Sequence, residues 1–269
     1  MKIAVVTIFP EIIEFLCEKS IVGRAQKNKL VKIKTYNPRD FTADRRLSVD
    51  DCAYGGGPGM ILKPEPIFLA VEKITRRKYK RSNKIRQDGR KPPNVLLYKT
   101  KHRGLSHRIV LLSPQGEVFS QERAKELVKE KNLILICGHY KDVDERIREN
   151  LITDEISIGD YVLTGGELPA LVLIDSIVRL LPKAMSNEES YKTDSFYNGK
   201  LLDGSYYTKP FRFRDMETPR VLLSGHHANI EKWRREKALQ NTFIKRPDLL
   251  EKARLSKTDR AIIEKMKNR

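Results

Sequence analysis

Three short segments carry the residue types from which a ligand site is built: Leu111-Leu-Ser-Pro-Gln-Gly116, Cys137-Gly-His-Tyr140 and Ser157-Ile-Gly-Asp-Tyr-Val-Leu-Thr-Gly-Gly-Glu167. Each contains glycine, which lets a backbone come close to a ligand or take up positive φ. Each falls at the carboxyl end of a predicted strand, where open α/β sheets hold their ligands. One such segment is an ordinary turn, but three at strand ends point to a candidate pocket. The acid–base groups near it are Asp160, Glu167 and Asp194. Cys137 and His139 stand too close together for a zinc pair and lack partners at zinc spacing, and His226-His227 reads as a helix-start or surface pair. The first strand runs into Phe9-Pro10-Glu11 rather than a G-x-G-x-x-G turn, and no G-x-x-x-x-G-K-[ST] loop occurs. These absences argue against a Rossmann dehydrogenase, a Rossmann-type methyltransferase and an NTPase. No G-x-S-x-G elbow is present to suggest a hydrolase.

The elements that must position these segments follow from hydrophobic periodicity. Strands are predicted from Lys2 to Phe9, Leu30 to Tyr36, Ile109 to Leu112, Leu133 to Cys137 and Glu155 to Leu163. Between them, helices are predicted from Glu11 to Leu16, Ile21 to Lys27, Pro64 to Ile74, Ser120 to Lys129, Asp144 to Asn150 and Glu167 to Leu181, with Pro64 near a helix start and Ser120 as an N-cap. Alternating strands and helices imply an α/β fold with a parallel sheet. Residues 183 to 204 lack periodicity and read as a polar linker. Beyond it, Ala228 to Leu239, Pro247 to Ala253 and Thr258 to Lys267 each carry an apolar stripe on a basic surface.

The 269 residues are 39% hydrophobic, enough for one large domain or two modest ones, and 33% charged with a formal net charge of +18. So basic a chain favours a polyanionic partner. Much of that charge is local: residues 76 to 108 hold 13 Lys or Arg against one acid, Asp88. The amino-terminal sequence MKIAVVTIFPEII reads as a first strand rather than a signal peptide, and no run approaches the length of a membrane span. Cys17, Cys52 and Cys137 are odd in number and scattered, which argues against a disulfide framework and for a cytoplasmic setting.

The combination Thr7-Ile-Phe-Pro10, Gly23-Arg-Ala25, Asn37-Pro-Arg-Asp-Phe-Thr42, Val49-Asp-Asp51, Tyr54-Gly-Gly-Gly-Pro-Gly-Met60, Ser157 to Ala170 and Leu223-Ser-Gly225 resembles the bacterial tRNA (guanine-N1)-methyltransferases, the TrmD family of the SPOUT superfamily. The resemblance runs in order along nearly the whole chain, with the basic segment 76 to 108 as an apparent insertion. It implies a SPOUT parallel-sheet domain (1–184) ending in a trefoil knot, a linker (185–204) and a small all-helical tRNA-binding domain (205–269). It further implies a homodimer with active sites at the subunit interface and no membrane association. The implied substrate is tRNA with guanosine at position 37, and the implied methyl donor is S-adenosylmethionine.

Carried over onto this sequence, the donor site maps to Leu111, Leu112, Ser113, Pro114, Gln115, Gly116 and Gly138, and to Ile158, Gly159, Asp160, Tyr161, Val162 and Leu163. The resemblance gives Asp194 as the catalytic aspartate and Arg179 as the catalytic arginine. That pairing suits the chemistry. Guanine N1 carries a proton that a positioned base must remove as the methyl arrives, and the charge then developing on O6 calls for a cation. The chain departs from the family at Tyr140-Lys-Asp-Val-Asp-Glu-Arg146, where Lys141 replaces a carboxylate near the donor's methionine end. The family uses Mg²⁺, so this loss leaves the metal ligands unassigned, with Asp142 one position along as the nearest acid. A SPOUT methyltransferase with another RNA target and a non-catalytic RNA-binding protein are the competing readings. The basic segment is expected to add phosphate contacts without altering base choice.

Overall fold

The computed structural model describes residues 1–77, 107–185, 187, 189–197 and 201–268. Nearly all of the basic segment, and with it the expected phosphate contacts, lies outside the described residues. The chain divides into two compact units, Met1–Ser186 and Asn187–Arg269.

The first unit is built on five parallel strands, β1 (Lys2–Val6), β2 (Lys32–Tyr36), β5 (Arg108–Val118), β6 (Asn132–Cys137) and β8 (Asp154–Ser157), in the spatial order β2-β1-β6-β5-β8. A smaller sheet pairs β3 (Asp50–Cys52) with β4 (Met60–Leu62) antiparallel, and β4 with β7 (Asp142–Val143) parallel. The central strands are near-continuous apolar runs, as a parallel sheet covered on both faces requires. Alternate residues serve alternate faces. Ile3, Val5, Val110, Leu112, Leu133 and Leu135 join one core with Ile13, Val22, Leu127, Leu173 and Ile177 from helices α1 (Pro10–Cys17), α2 (Ser20–Lys27), α4 (Gln121–Leu127) and α6 (Glu167–Val178). Ala4, Val6, Ile109, Leu111, Ile134 and Ile136 join the other with Ile67, Val71 and Ile147 from α3 (Pro64–Thr75) and α5 (Glu145–Asn150).

Local signals behave as expected at several ends. Proline opens α1 and α3, and the Ser120 hydroxyl accepts from the Arg123 amide at 3.3 Å to cap α4. The strand expected over Glu155 to Leu163 ends instead at Ser157. Beyond it the chain leaves the sheet as a loop, and Val162 is 82% exposed. The strand expected over Ile109 to Leu112 runs on to Val118, although residues 113–116 bulge from the ladder, because Leu112 and Glu117 both register with Ile156.

The second unit holds a short helix, α7 (Glu189–Lys192), and three more, α8 (His227–Lys245), α9 (Asp248–Lys252) and α10 (Lys257–Lys267). Leu201, Leu239 and Ile263 form its core. Ser256 and Asp259 close a reciprocal capping box at α10, and Asp259 also takes a two-pronged ion pair from Arg235 at 2.8 and 3.0 Å. The unit is mainly rather than wholly helical: β9 (Arg212–Phe213) and β10 (Met216–Glu217) pair antiparallel around Arg214, which takes a left-handed φ of 55°. No Asn-Gly or Asp-Gly announced that turn. Within the segment expected as a linker, the Phe196 amide donates to the Leu201 carbonyl at 2.8 Å and the Asp203 amide to the Ser195 hydroxyl at 2.9 Å.

Candidate active site

The bulge midway along β5 and the carboxyl ends of β6 and β8 line an open cavity of about 370 Å³ within the first unit. Its walls come from the three segments singled out in the sequence. Leu112, Ser113, Pro114 and Gln115 contribute from the bulge, Gly138 from the end of β6, and Ile158, Gly159, Tyr161, Val162 and Leu163 from the loop after β8. Leu111 lies outside the wall because strand alternation turns it into the opposite core. Gly116 also lies outside, at a place where any Cβ would overlap the Glu155–Ile156 backbone, so its role is strand packing. Asp160 is exposed and off the wall.

The walls also include His139, Tyr140, Lys141, Asp142, Ile156, Ser157, Thr164, Gly165, Gly166 and Pro169, none of them among the expected donor-site residues. Most fall inside the quoted motifs, so the signal lay in the segments and only its assignment to single residues was too narrow.

Close backbone approach holds the walls together. The Gly166 amide donates to the Gly138 carbonyl at 2.8 Å, and a Cβ on Gly166 would sit 2.6 Å from the Cys137 Cα and 2.9 Å from the Gly138 nitrogen. Only glycine fits there. Next along, Glu167 opens α6 with its side chain buried (4% exposed), accepting from the Thr7 hydroxyl at 2.6 Å. That bond ties the helix start to the end of β1, and the helix N-terminus favours the negative charge. Burial pushes the neighbouring Cys137 thiol well above its ordinary value, and the Glu167 charge pushes it further, so Cys137 is no nucleophile at neutral pH. His139 meets Phe9 and Tyr140 edge-on, with ring centroids 5.1 and 5.0 Å away, and its Nδ1 is buried without a hydrogen-bond partner among the described residues.

An ion network braces the wall from behind. The Arg148 side chain, 6% exposed, binds Asp142 at 2.7 Å, Glu155 at 2.9 Å and Glu145 at 3.3 Å. Burial opposes its charge, but the hydrogen bonds it donates to Asp142 and Glu155, with the charges of those carboxylates, outweigh that and hold the guanidinium firmly protonated. Asp154 at the start of β8 is likewise buried against Arg108 and Arg123. Burial pushes its carboxyl up, while the bonds from Arg108 and Thr153 and the two arginine charges bring it below the ordinary carboxylate range.

The two expected catalytic residues lie in different units. Arg179 caps the carboxyl end of α6, its amide donating to the Asp175 carbonyl at 3.1 Å. Since Pro169 of the same helix lines the cavity, the helical rise puts Arg179 about 15 Å from it along the axis. Asp194 sits in a turn after α7, half-buried, its amide donating to the Tyr191 carbonyl at 3.3 Å. Among the described residues no group of three His, Cys, Asp or Glu could hold a metal ion, and His226-His227 occupies the start of α8.

Residues 1–252 match the family described as tRNA (Guanine-1)-methyltransferase TrmD. A protein of Dehalococcoides mccartyi (strain CBDB1) named tRNA (guanine-N(1)-)-methyltransferase is 49% identical over 266 residues, covering 99% of this chain and 97% of that protein. Proteins of the same name from Desulforamulus reducens and Bacillus cereus (strain AH820) are 45% identical over 268 residues and 46% over 267, covering 100% and 99% of this chain and 96% and 99% of those proteins. The sheet, the glycine-built cavity and this full-length similarity converge on one assignment: the chain belongs to the tRNA (guanine-1)-methyltransferase family.

Proposed function

We propose that this chain is an S-adenosylmethionine-dependent enzyme that methylates N1 of guanine in tRNA, at the guanosine of position 37. The observation that carries the reading is the cavity at the strand ends, built from the segments through which the chain resembles its family. The cavity fits the methyl donor. Leu112, Pro114, Ile156, Ile158, Leu163 and Pro169 supply apolar walls for a flat base, while the glycines expose backbone amides and carbonyls to hydrogen-bond its edge. When bound, the donor supplies a methyl group made electrophilic by a sulfonium.

The protein's part in the step is acid–base and electrostatic. The Asp194 carboxylate accepts the proton from guanine N1 as the N1–methyl bond forms and the sulfur–methyl bond breaks. The Arg179 guanidinium donates to O6, where charge develops. The backbone of Arg179 lies about 15 Å along α6 from Pro169 of the cavity wall. That distance favours the homodimer implied by the resemblance, in which a second subunit completes each site. Exposed Leu168 and Val172 on α6 and Phe15 on α1 offer an apolar face for it.

The resemblance implies a knotted path through the donor loops, two of which meet in a bridge between His139 and Gly165. The second unit would bind tRNA, consistent with Arg234 over the Tyr206 ring and Lys237 over the Trp233 ring on its surface. No helix among the described residues is long and apolar enough to cross a membrane, and a tRNA substrate would place the enzyme in the cytoplasm.

The test is transfer of labelled methyl to tRNA transcripts bearing guanosine or adenosine at position 37. Incorporation with guanosine alone, recovered as the N1-methylated nucleoside, supports the reading. Incorporation indifferent to that base refutes the assigned target.

A further inference from the structure

The charged groups on the cavity wall are few and already arranged. Asp142 is its single carboxylate among the described residues. One of its oxygens accepts from Arg148 and from the Val143 amide, both at 2.7 Å, and the other from the Gln115 side-chain amide at 3.2 Å. A magnesium ion needs near-octahedral oxygen ligation and dehydrates reluctantly. A single carboxylate whose oxygens are already engaged by Arg148, the Val143 amide and Gln115 does not fit that demand, and its neighbour on the wall is Lys141, itself a cation.

Lys141 is exposed, with its backbone and the start of its stem held in place. Its amide donates to the Met60 carbonyl at 2.9 Å, extending the contact between β7 and β4. Gly59 leaves the room its stem occupies: a Cβ there would stand 3.1 Å from the lysine Cβ, with Cγ and Cδ at 3.7 and 3.8 Å. No ion pair engages its ammonium among the described residues.

We infer that this enzyme binds its methyl donor without a divalent cation, because Lys141, a residue of the cavity wall, supplies the positive charge that recognises the carboxylate at the donor's amino-acid end. Asp142, oriented by Arg148 and Gln115, faces the adjoining ammonium of the same ligand. This rests on the methyl-donor reading of the cavity and deepens it. A lysine is a compact point charge suited to a carboxylate, and unlike a metal ion it cannot be lost to a chelator.

The test is calorimetric binding of S-adenosylmethionine to the full chain, in EDTA and in Mg²⁺. Equal affinity in the two buffers is expected, with Lys141→Ala weakening binding by about tenfold in both and Lys141→Arg retaining most of it. Lys141→Glu would place two carboxylates side by side, so its weakened binding should be partly restored by Mg²⁺. Affinity that collapses in EDTA and returns with Mg²⁺ overturns the inference while leaving the methyltransferase reading intact. So does wild-type affinity in Lys141→Ala. Absence of donor binding in either buffer sinks both.

Discussion

Gly166→Ala probes the contact that joins two cavity walls. Its φ of −83° is one that any residue adopts, so the added methyl acts by sterics alone. The new Cβ would lie 2.6 Å from the Cys137 Cα and 2.9 Å from the Gly138 nitrogen, against an ordinary carbon separation of about 3.5–4 Å. The start of α6 and the end of β6 must therefore part by about 1 Å, which stretches the 2.8 Å bond from the Gly166 amide to the Gly138 carbonyl beyond useful length. Overpacking of this kind costs about 1–3 kcal/mol, and the lost hydrogen bond about 1 more. The expected destabilisation is therefore about 2–4 kcal/mol, read as a lowered urea midpoint with unchanged slope. Gly138 and Gly166 both bound the cavity, so a shift of that size should weaken donor binding by about a hundredfold. Gly138→Ala is the control: its Cβ would make ordinary contacts with the Leu112 carbonyl at 3.4 Å and Val143 Cγ1 at 3.9 Å, so it should keep its stability and lose affinity alone. A Gly166→Ala protein with wild-type midpoint and affinity would refute the claim that close approach at Gly166 builds the cavity.

Other outcomes follow from single contacts. Thr7→Val keeps the shape but leaves buried Glu167 without its 2.6 Å donor, and should cost about 1–3 kcal/mol in urea unfolding; a change below about 0.5 kcal/mol would show that another group satisfies the carboxylate. The bonds from Arg235 hold Asp259 down to about 2, so its contribution to stability is complete above the unfolded value near 4 and is lost as pH falls towards 2. Trp233, the single tryptophan, lies in the same unit, so its fluorescence should report acid unfolding over that window and Asp259→Asn should flatten the dependence. Asp194→Ala should abolish methyl transfer while tRNA binding survives, and near-normal turnover would sink Asp194 as the base. Arg179→Ala should lower the rate comparably, whereas an effect on binding alone would remove it from the chemistry at O6.

The large sheet was legible because its strands are long apolar runs whose alternate residues must find two covers. The small sheet was not, since strands of two or three residues, such as Asp142–Val143, carry no periodicity. The cavity was legible as three glycine-bearing segments, yet the register shift that swings Ser113, Pro114 and Gln115 into the wall depends on pairing with Ile156, which no local pattern encodes. Arg179 and Asp194 would have passed as a helix-end cation and a solvated acid; only family resemblance raised them. The joining of Asp142 to Glu155 through Arg148 is also silent in the sequence, because it arises from the packing of α5 against the sheet edge.

The strand order also sets a timetable. β1 is synthesised first and occupies the middle of the sheet, yet one of its neighbours, β6, begins 130 residues later in register with Lys2, and the Thr7 bond waits for Glu167. At ribosomal rates of about 5–20 residues per second, the first strand stands with one edge bare for roughly 7–25 s. Over that interval its apolar residues are a pairing template for any other extended chain. A nascent chain halted before residue 132 should therefore associate with itself or be held by a chaperone. The cavity becomes available for ligand only when the last helix of the first unit has left the ribosome.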